Sequence, residues 1–238
     1  MIMTNTRRAL TLAVLALGVS GSLQPADAQV TDPVSILVKI SIDPSVGGTA
    51  IGAASGTIDG VPASIEEASW TDTHSEKSPL FEAGVAFRAG DVTEILGLFN
   101  YGRAGANAQT IGDAGGVPVN AVFDDYEFWG LEGGVRLRPA SGVGPYAIFT
   151  GGFRRVSEIQ ARLRVEAATR AVTGYEASTV PSFAVGGGVL WGGDDFALGF
   201  EVALRYAGSP EVPAGRTVEP ASGAGARWSL PVGLVMRF

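Results

Sequence analysis

Eight segments of alternating apolar residues, joined by connections that run long, short, long, short, long, short, long, constrain this chain more than any other feature of it. The segments are 34–42, 80–88, 92–103, 127–138, 145–156, 181–191, 196–207 and 228–238. Side chains alternate between the two faces of a strand, so a period of two sustained over such lengths predicts strands. Three connections, 89–91, 139–144 and 192–195, are turn-sized and contain Gly with Pro or Asp. The other four, 43–79, 104–126, 157–180 and 208–226, are long and polar. In an up-and-down arrangement every short turn falls at one end, with both termini, and every long loop at the other. The fold class predicted is all-β, an eight-stranded antiparallel up-and-down β-barrel.

Which face carries the apolar residues decides what surrounds the barrel. Segment 196–207 sets Phe196, Leu198, Phe200, Val202, Leu204 and Tyr206 against Ala197, Gly199, Glu201, Ala203 and Arg205. Segment 127–138 sets Trp129, Leu131, Val135 and Leu137 against Glu132, Arg136 and Arg138, and segment 34–42 isolates Lys39 on its polar side. Glu82 stands likewise against Phe81, Ala83, Val85 and Phe87. Segments 92–103 and 145–156 are apolar on both parities and assign no face. Charge therefore travels with small residues, which suits a narrow lumen, and the apolar parity faces out, the reverse of a soluble ligand-carrying barrel. Strands of nine to twelve residues cross a bilayer when tilted. Phe81, Tyr101, Trp129, Phe183, Tyr206 and Trp228 at the outer strand ends, and Phe87, Tyr146, Trp191, Phe196 and Phe238 at the inner ones, read as two interfacial girdles.

Residues 1–28 read as a secretory signal: Arg7 and Arg8, an apolar run over 9–19 too short to span a bilayer, then Ala26-Asp27-Ala28 as a small-x-small cleavage site. That leaves 29–238 as the barrel domain. The last segment alternates from Trp228 to an aromatic Phe238. A terminal strand of this kind behind a signal peptide resembles that of bacterial outer-membrane β-barrels. The whole mature chain resembles the small OmpA-like and opacity-protein barrels of Gram-negative envelopes, with no soluble domain appended. The resemblance implies insertion into the cell outer membrane through the barrel-assembly machinery, with Trp228 and Phe238 as part of the assembly signal. It also implies contact with outer-membrane lipid and lipopolysaccharide, and long loops free to bind an extracellular ligand.

With 17 basic and 24 acidic residues, the chain carries a net charge of -7, and loss of the signal makes it more acidic still, which argues against a nucleic-acid partner. It has no Cys, hence no disulfide and no lipoprotein anchor. Nothing in the sequence calls for a cofactor, and no catalytic, cofactor-binding or metal residue is assigned. Some barrels of the resembled type modify lipid A with His and Ser, so His74, beside Asp72, Ser75 and Glu76, is the residue an enzyme would use. No spacing fixes a triad there, and a single His in a polar loop reads as solvated. Asp124, Asp125 and Glu127 offer hard ligands but match no calcium loop.

Strand direction makes one further prediction. Segments 127–138 and 196–207 read Glu132-x-x-x-Arg136 and Glu201-x-x-x-Arg205 in opposite directions, so Glu132 should face Arg205 at the outer level and Arg136 should face Glu201 at the inner one. With Lys39 and Glu82 at similar height, these six charges predict a paired network that plugs the lumen. A structural or surface-interaction role follows from a plugged barrel with displayed loops, a narrow small-solute pore from an open one.

Overall fold

The wall starts at β1 (Val34–Ile42) in a computed structural model that describes residues 34–58, 60–74, 78–138, 144–166, 168–193, 195–213, 218–220 and 225–238. The predicted signal and its cleavage site lie outside the described residues, as do Ser75 and Glu76. The first long connection folds into β2 (Ser45–Gly47), β3 (Thr49–Ile51), β4 (Ala54–Ile58), β5 (Val61–Ile65), β6 (Ala68–Ser69) and one helical turn, α1 (Trp70–Thr73). Wall strands β7 (Pro79–Arg88) and β8 (Thr93–Ala104) lead to a hairpin, β9 (Ala108–Ala114) and β10 (Val117–Phe123). Then come β11 (Tyr126–Leu137), β12 (Gly144–Val156) and a second hairpin, β13 (Ile159–Val165) and β14 (Ala168–Tyr175). The chain ends with β15 (Ser178–Gly192), β16 (Ala197–Ala207), β17 (Val218–Pro220), β18 (Arg227–Ser229) and β19 (Val232–Arg237).

Pairing closes the wall. β1 bonds antiparallel to β7 on one side and to β19 on the other, and the ring runs β1, β7, β8, β11, β12, β15, β16, β19. This is the predicted eight-stranded antiparallel barrel. Its last strand is interrupted, because Pro231 has no N–H to give the ladder. There the chain jogs, Leu230 donates instead to the Pro44 carbonyl at 3.0 Å, and β18 pairs with β2 as well as β16.

The faces fall as the parity requires. Ile36, Phe81, Phe99, Leu131, Phe149, Val185, Phe200 and Leu234 are exposed on the outside, whereas Lys39, Glu82, Glu132, Glu201 and Arg205 are buried within. Of the two segments left without a face, β8 turns Glu94, Leu96, Leu98 and Asn100 inward and β12 turns Tyr146, Ile148, Thr150 and Arg154 inward. Tyr146 is therefore not part of the inner aromatic girdle. Its ring occupies the lumen in the space where a Cβ on Gly188 would stand 2.6 Å from the Tyr146 hydroxyl. At the outer end the girdle is a contact chain: Phe183 meets Tyr206 at 6.2 Å between ring centroids, and Tyr206 meets Trp228 at 5.1 Å.

The long connections are not plain loops. β9 and β10 make residues 104–126 a hairpin, and β13 and β14 make 157–180 a protruding ribbon. Strands from all four long connections then pair in the order β14-β13-β10-β9-β5-β4-β17 as one seven-stranded sheet. One face of that sheet buries Ala63, Ile111, Ala114, Val119, Ala121, Phe123 and Ala161. Such strands cannot bury an apolar face alone, so the connections stabilise one another only when assembled.

Candidate functional site

The lumen is filled by layers of charge. At mid-height Lys39 and Glu82 are direct cross-strand partners, with Nζ 2.6 Å from Glu82 Oε2 and 2.5 Å from Glu201 Oε1. Arg205 Nη2 lies 2.7 Å from Glu82 and 3.2 Å from Glu132. Thr150 and Ser182 donate to Glu132 at 2.7 and 2.9 Å, and the Tyr146 hydroxyl donates to Glu201 Oε2 at 2.8 Å. Charges out of water are costly unless paired and hydrogen-bonded, and here the acids gain both.

Five of the six residues singled out in the sequence meet in this cluster. Arg136 does not: it pairs with Glu94 at 2.5 Å rather than with Glu201, and Arg138 holds the other Glu94 oxygen at 2.6 Å. Glu94 is on the strand whose alternation was apolar on both parities, so nothing in the sequence gave it a direction. Lys39 takes the place at Glu201 that Arg136 was expected to fill. An outer cluster was also missed. Arg227 holds Asp43 at 3.2 Å and donates to the Asp43 carbonyl at 2.5 Å, and Arg154 lies 4.4 Å over the Phe128 ring. Asp43 falls in a predicted loop and Arg227 between the last predicted loop and the last predicted strand, where alternation carries no signal.

Above the outer cluster sits an aromatic cap. Ser69 caps α1, its Oγ accepting from Asp72 N at 3.1 Å while Asp72 Oδ2 accepts from Ser69 N at 3.2 Å. This fixes Trp70, 1% exposed, against Tyr175 at 5.7 Å and Tyr126 at 6.0 Å between ring centroids. The Tyr175 hydroxyl donates to the Ala50 carbonyl. His74 is not the solvated loop residue its neighbours in sequence suggested. It is 1% exposed, enclosed by Trp70, Phe123 and Tyr126, with Nε2 3.4 Å from the Asp124 carbonyl. Burial pulls its imidazole down to about 4.

The acidic pair is committed elsewhere. Asp124 meets Arg162 at 2.7 Å and Asp125 meets Arg103 at 2.8 Å. The Ala106 N–H, and then Arg103, hold the Asp125 carboxyl below its usual range. Among the described residues no group of three or more His, Asp or Glu is placed to hold a metal ion.

The seven-stranded sheet leaves its other face polar and open. Cross-strand rows run Ser55, Ser64, Asp113 and Thr110, Asn120, Arg164, Thr169. Within them Ser64 donates to Asp113 at 2.9 Å and Thr110 to Asn120 at 2.8 Å. A closed eight-strand wall, apolar outside and charged inside, now stands beneath a displayed sheet. This is the fold of the small eight-stranded outer-membrane β-barrels. No family model matches the sequence, and no curated protein matches it. Among solved structures it is similar to Ail, the attachment invasion locus protein of Yersinia pestis, at 10% identity and a TM-score of 0.40 over 86% of this chain and 97% of that one. It is similar to Neisserial surface protein A at 12% and 0.38, over 86% and 96%. It is also similar to the N-terminal β-barrel domain of Pseudomonas aeruginosa OprF at 9% and 0.36, over 87% and 98%.

Proposed function

We propose that this protein is an integral barrel of the bacterial outer membrane that holds a stiff polar β-platform at the cell surface for contact with an extracellular partner. The observation that carries the reading is the seven-stranded sheet. Connections needed only to link wall strands would be short, whereas here strands from all four long ones pair into one sheet. Stiff elements hold side chains to a fixed geometry better than loops do. The lumen supports a wall rather than a channel, since its charges are paired across it. The enclosure of His74 by aromatic rings supports a packing role for that residue. The outward apolar belt supports contact with outer-membrane lipid and lipopolysaccharide, and the exposure of Trp228 and Phe238 supports their reading as part of an assembly signal.

The test is surface display and its loss. Cells expressing the protein should yield it in the outer-membrane fraction, with folded and boiled forms migrating differently in detergent gels. Substituting Asn120, Arg162 and Arg164 together by Ala should abolish adhesion to immobilised host matrix while leaving that mobility shift intact. Recovery as a soluble periplasmic protein would remove the membrane reading, and unchanged adhesion would remove the platform.

A further inference from the structure

The seven-stranded sheet ends differently at its two edges. At one, β17 is three residues long and closes on Pro220, and short length with a proline keeps an edge from recruiting another strand. At the other, β14 runs eight residues without a Pro or a Lys, and among the described residues it pairs with β13 alone. Ala168, Thr169, Arg170, Ala171 and Thr173 are exposed.

The register shows which backbone groups of β14 are unused. Val165 and Ala168 are partners across two intervening residues, the arrangement of a tight hairpin in which such partners exchange both hydrogen bonds. Bonding alternates along an antiparallel pair, so Arg170 and Val172 also turn to β13, whereas Thr169, Ala171 and Thr173 turn N–H and C=O away from it. An open ladder of this kind adds an extended segment as a further strand.

Side chains select the segment. β13 and β14 carry Arg162, Arg164 and Arg170 and no acid, and the acids of this hairpin, Glu158, Glu166 and Glu176, stand at its ends. Arg164 gives its Nε to the Glu166 carbonyl at 3.2 Å rather than to a carboxylate. Arg162 meets Asp124 where both are largely exposed, and such a pair holds little energy against a competitor. Arg164 and Arg162 share rows with Thr169 and Ala171, so a strand laid along β14 sets its side chains on that face about 10 Å from theirs, two strand spacings, within reach of two long side chains. On the opposite face Val172 ends the apolar cluster that holds Ala161. A second copy of this chain would set one arginine hairpin against another, a like-charge pairing that disfavours it.

We propose that β14 accepts an extended acidic segment of an extracellular protein as the eighth strand of the platform sheet, its carboxylates towards Arg162, Arg164 and Arg170 and an apolar residue over Val172. This rests on the reading of the sheet as a contact platform and names the chemistry of the partner.

The experiment titrates the full barrel in detergent with short peptides that alternate valine with glutamate or valine with lysine. The glutamate peptide should bind and the lysine peptide should not. Ala171→Pro removes one outward N–H and spares the bonds to β13, so it should weaken binding about tenfold while the heat-dependent gel shift persists. Amide hydrogen exchange needs no variant: it should slow at Thr169, Ala171 and Thr173 when the glutamate peptide is added. Equal binding of the two peptides, no binding, or unchanged exchange at those amides overturns the proposal. Slow exchange there before any peptide, with self-association of the barrel, gives the edge to a second copy and overturns it too. Where variant and exchange disagree, the exchange decides. On cells, adhesion lost in the Asn120, Arg162 and Arg164 triple variant but kept in Ala171→Pro removes the edge alone, whereas adhesion kept in both removes the platform.

Discussion

Lys39 on β1 and Glu201 on β16 touch at 2.5 Å although β19 separates their strands in the wall. The contact bridges β19 on the lumen side, so the wall is braced from within by charges. Lys39 also binds Glu82, Glu82 binds Arg205, and Arg205 binds Glu132, so the brace is one connected chain of ions.

Arg205→Ala should therefore take a partner from two carboxylates at once: Glu132 loses its nearest cation, while Glu82 keeps Lys39. Breaking a buried pair by removing one partner costs about 3 to 5 kcal/mol, less where lumen water reaches the orphaned acids. Urea unfolding measures the loss. A planar-bilayer recording checks the brace itself: little steady conductance in the native barrel, rising in the variant. Large stable conductance before mutation would make the protein a pore.

The outward belt makes a second prediction. Phe200 is 42% exposed near the middle of β16, while Ala203 on the opposite face is buried. Phe200→Arg should destabilise the barrel in lipid by about 2 to 4 kcal/mol, and Ala203→Ser should be mild. Equal tolerance at the two sites would mean that the faces are reversed.

His74 sets a pH dependence. Its folded-state value, about 4, lies below the ordinary 6.5, so between those limits the unfolded chain binds the extra proton. The stability associated with neutral His74 is complete above pH 6.5 and is lost as pH falls towards 4. Unfolding midpoints of the native protein and of His74→Phe, compared at pH 7.5 and 4.5, should converge at the lower pH. Parallel pH profiles would count against the aromatic enclosure.

Trp70→Ala should uncouple cap from wall. Removing a buried Trp side chain costs about 3 to 5 kcal/mol, and here the loss falls on the contacts with Tyr126 and Tyr175. Protease should then cut within 43–78 on intact cells while the heat-dependent gel shift of the barrel persists. Loss of that shift would show that the cap is needed for the wall to form.

The wall was legible in the sequence because a barrel has one repeating physical requirement. Every strand must turn apolar atoms to lipid and small or charged ones to the lumen, and a period of two records that at each position. Hence β16, with Phe200 out and Glu201 in, could be read directly, as could the alternation of short turns and long connections. Where both parities were apolar the record was silent, and β8 and β12 hid Glu94, Tyr146 and Arg154. Periodicity says which way a side chain points but not whom it meets. That Lys39 reaches Glu201 while Arg136 turns to Glu94 depends on the strand registers and on the closeness of the walls, which exist only once the ring has closed. The seven-stranded sheet and the enclosure of His74 have the same origin: each long connection is polar and short-stranded by itself, and becomes sheet only against strands from the others. Local alternation thus determined the barrel, and contacts between residues far apart in the chain decided what fills it and what stands above it.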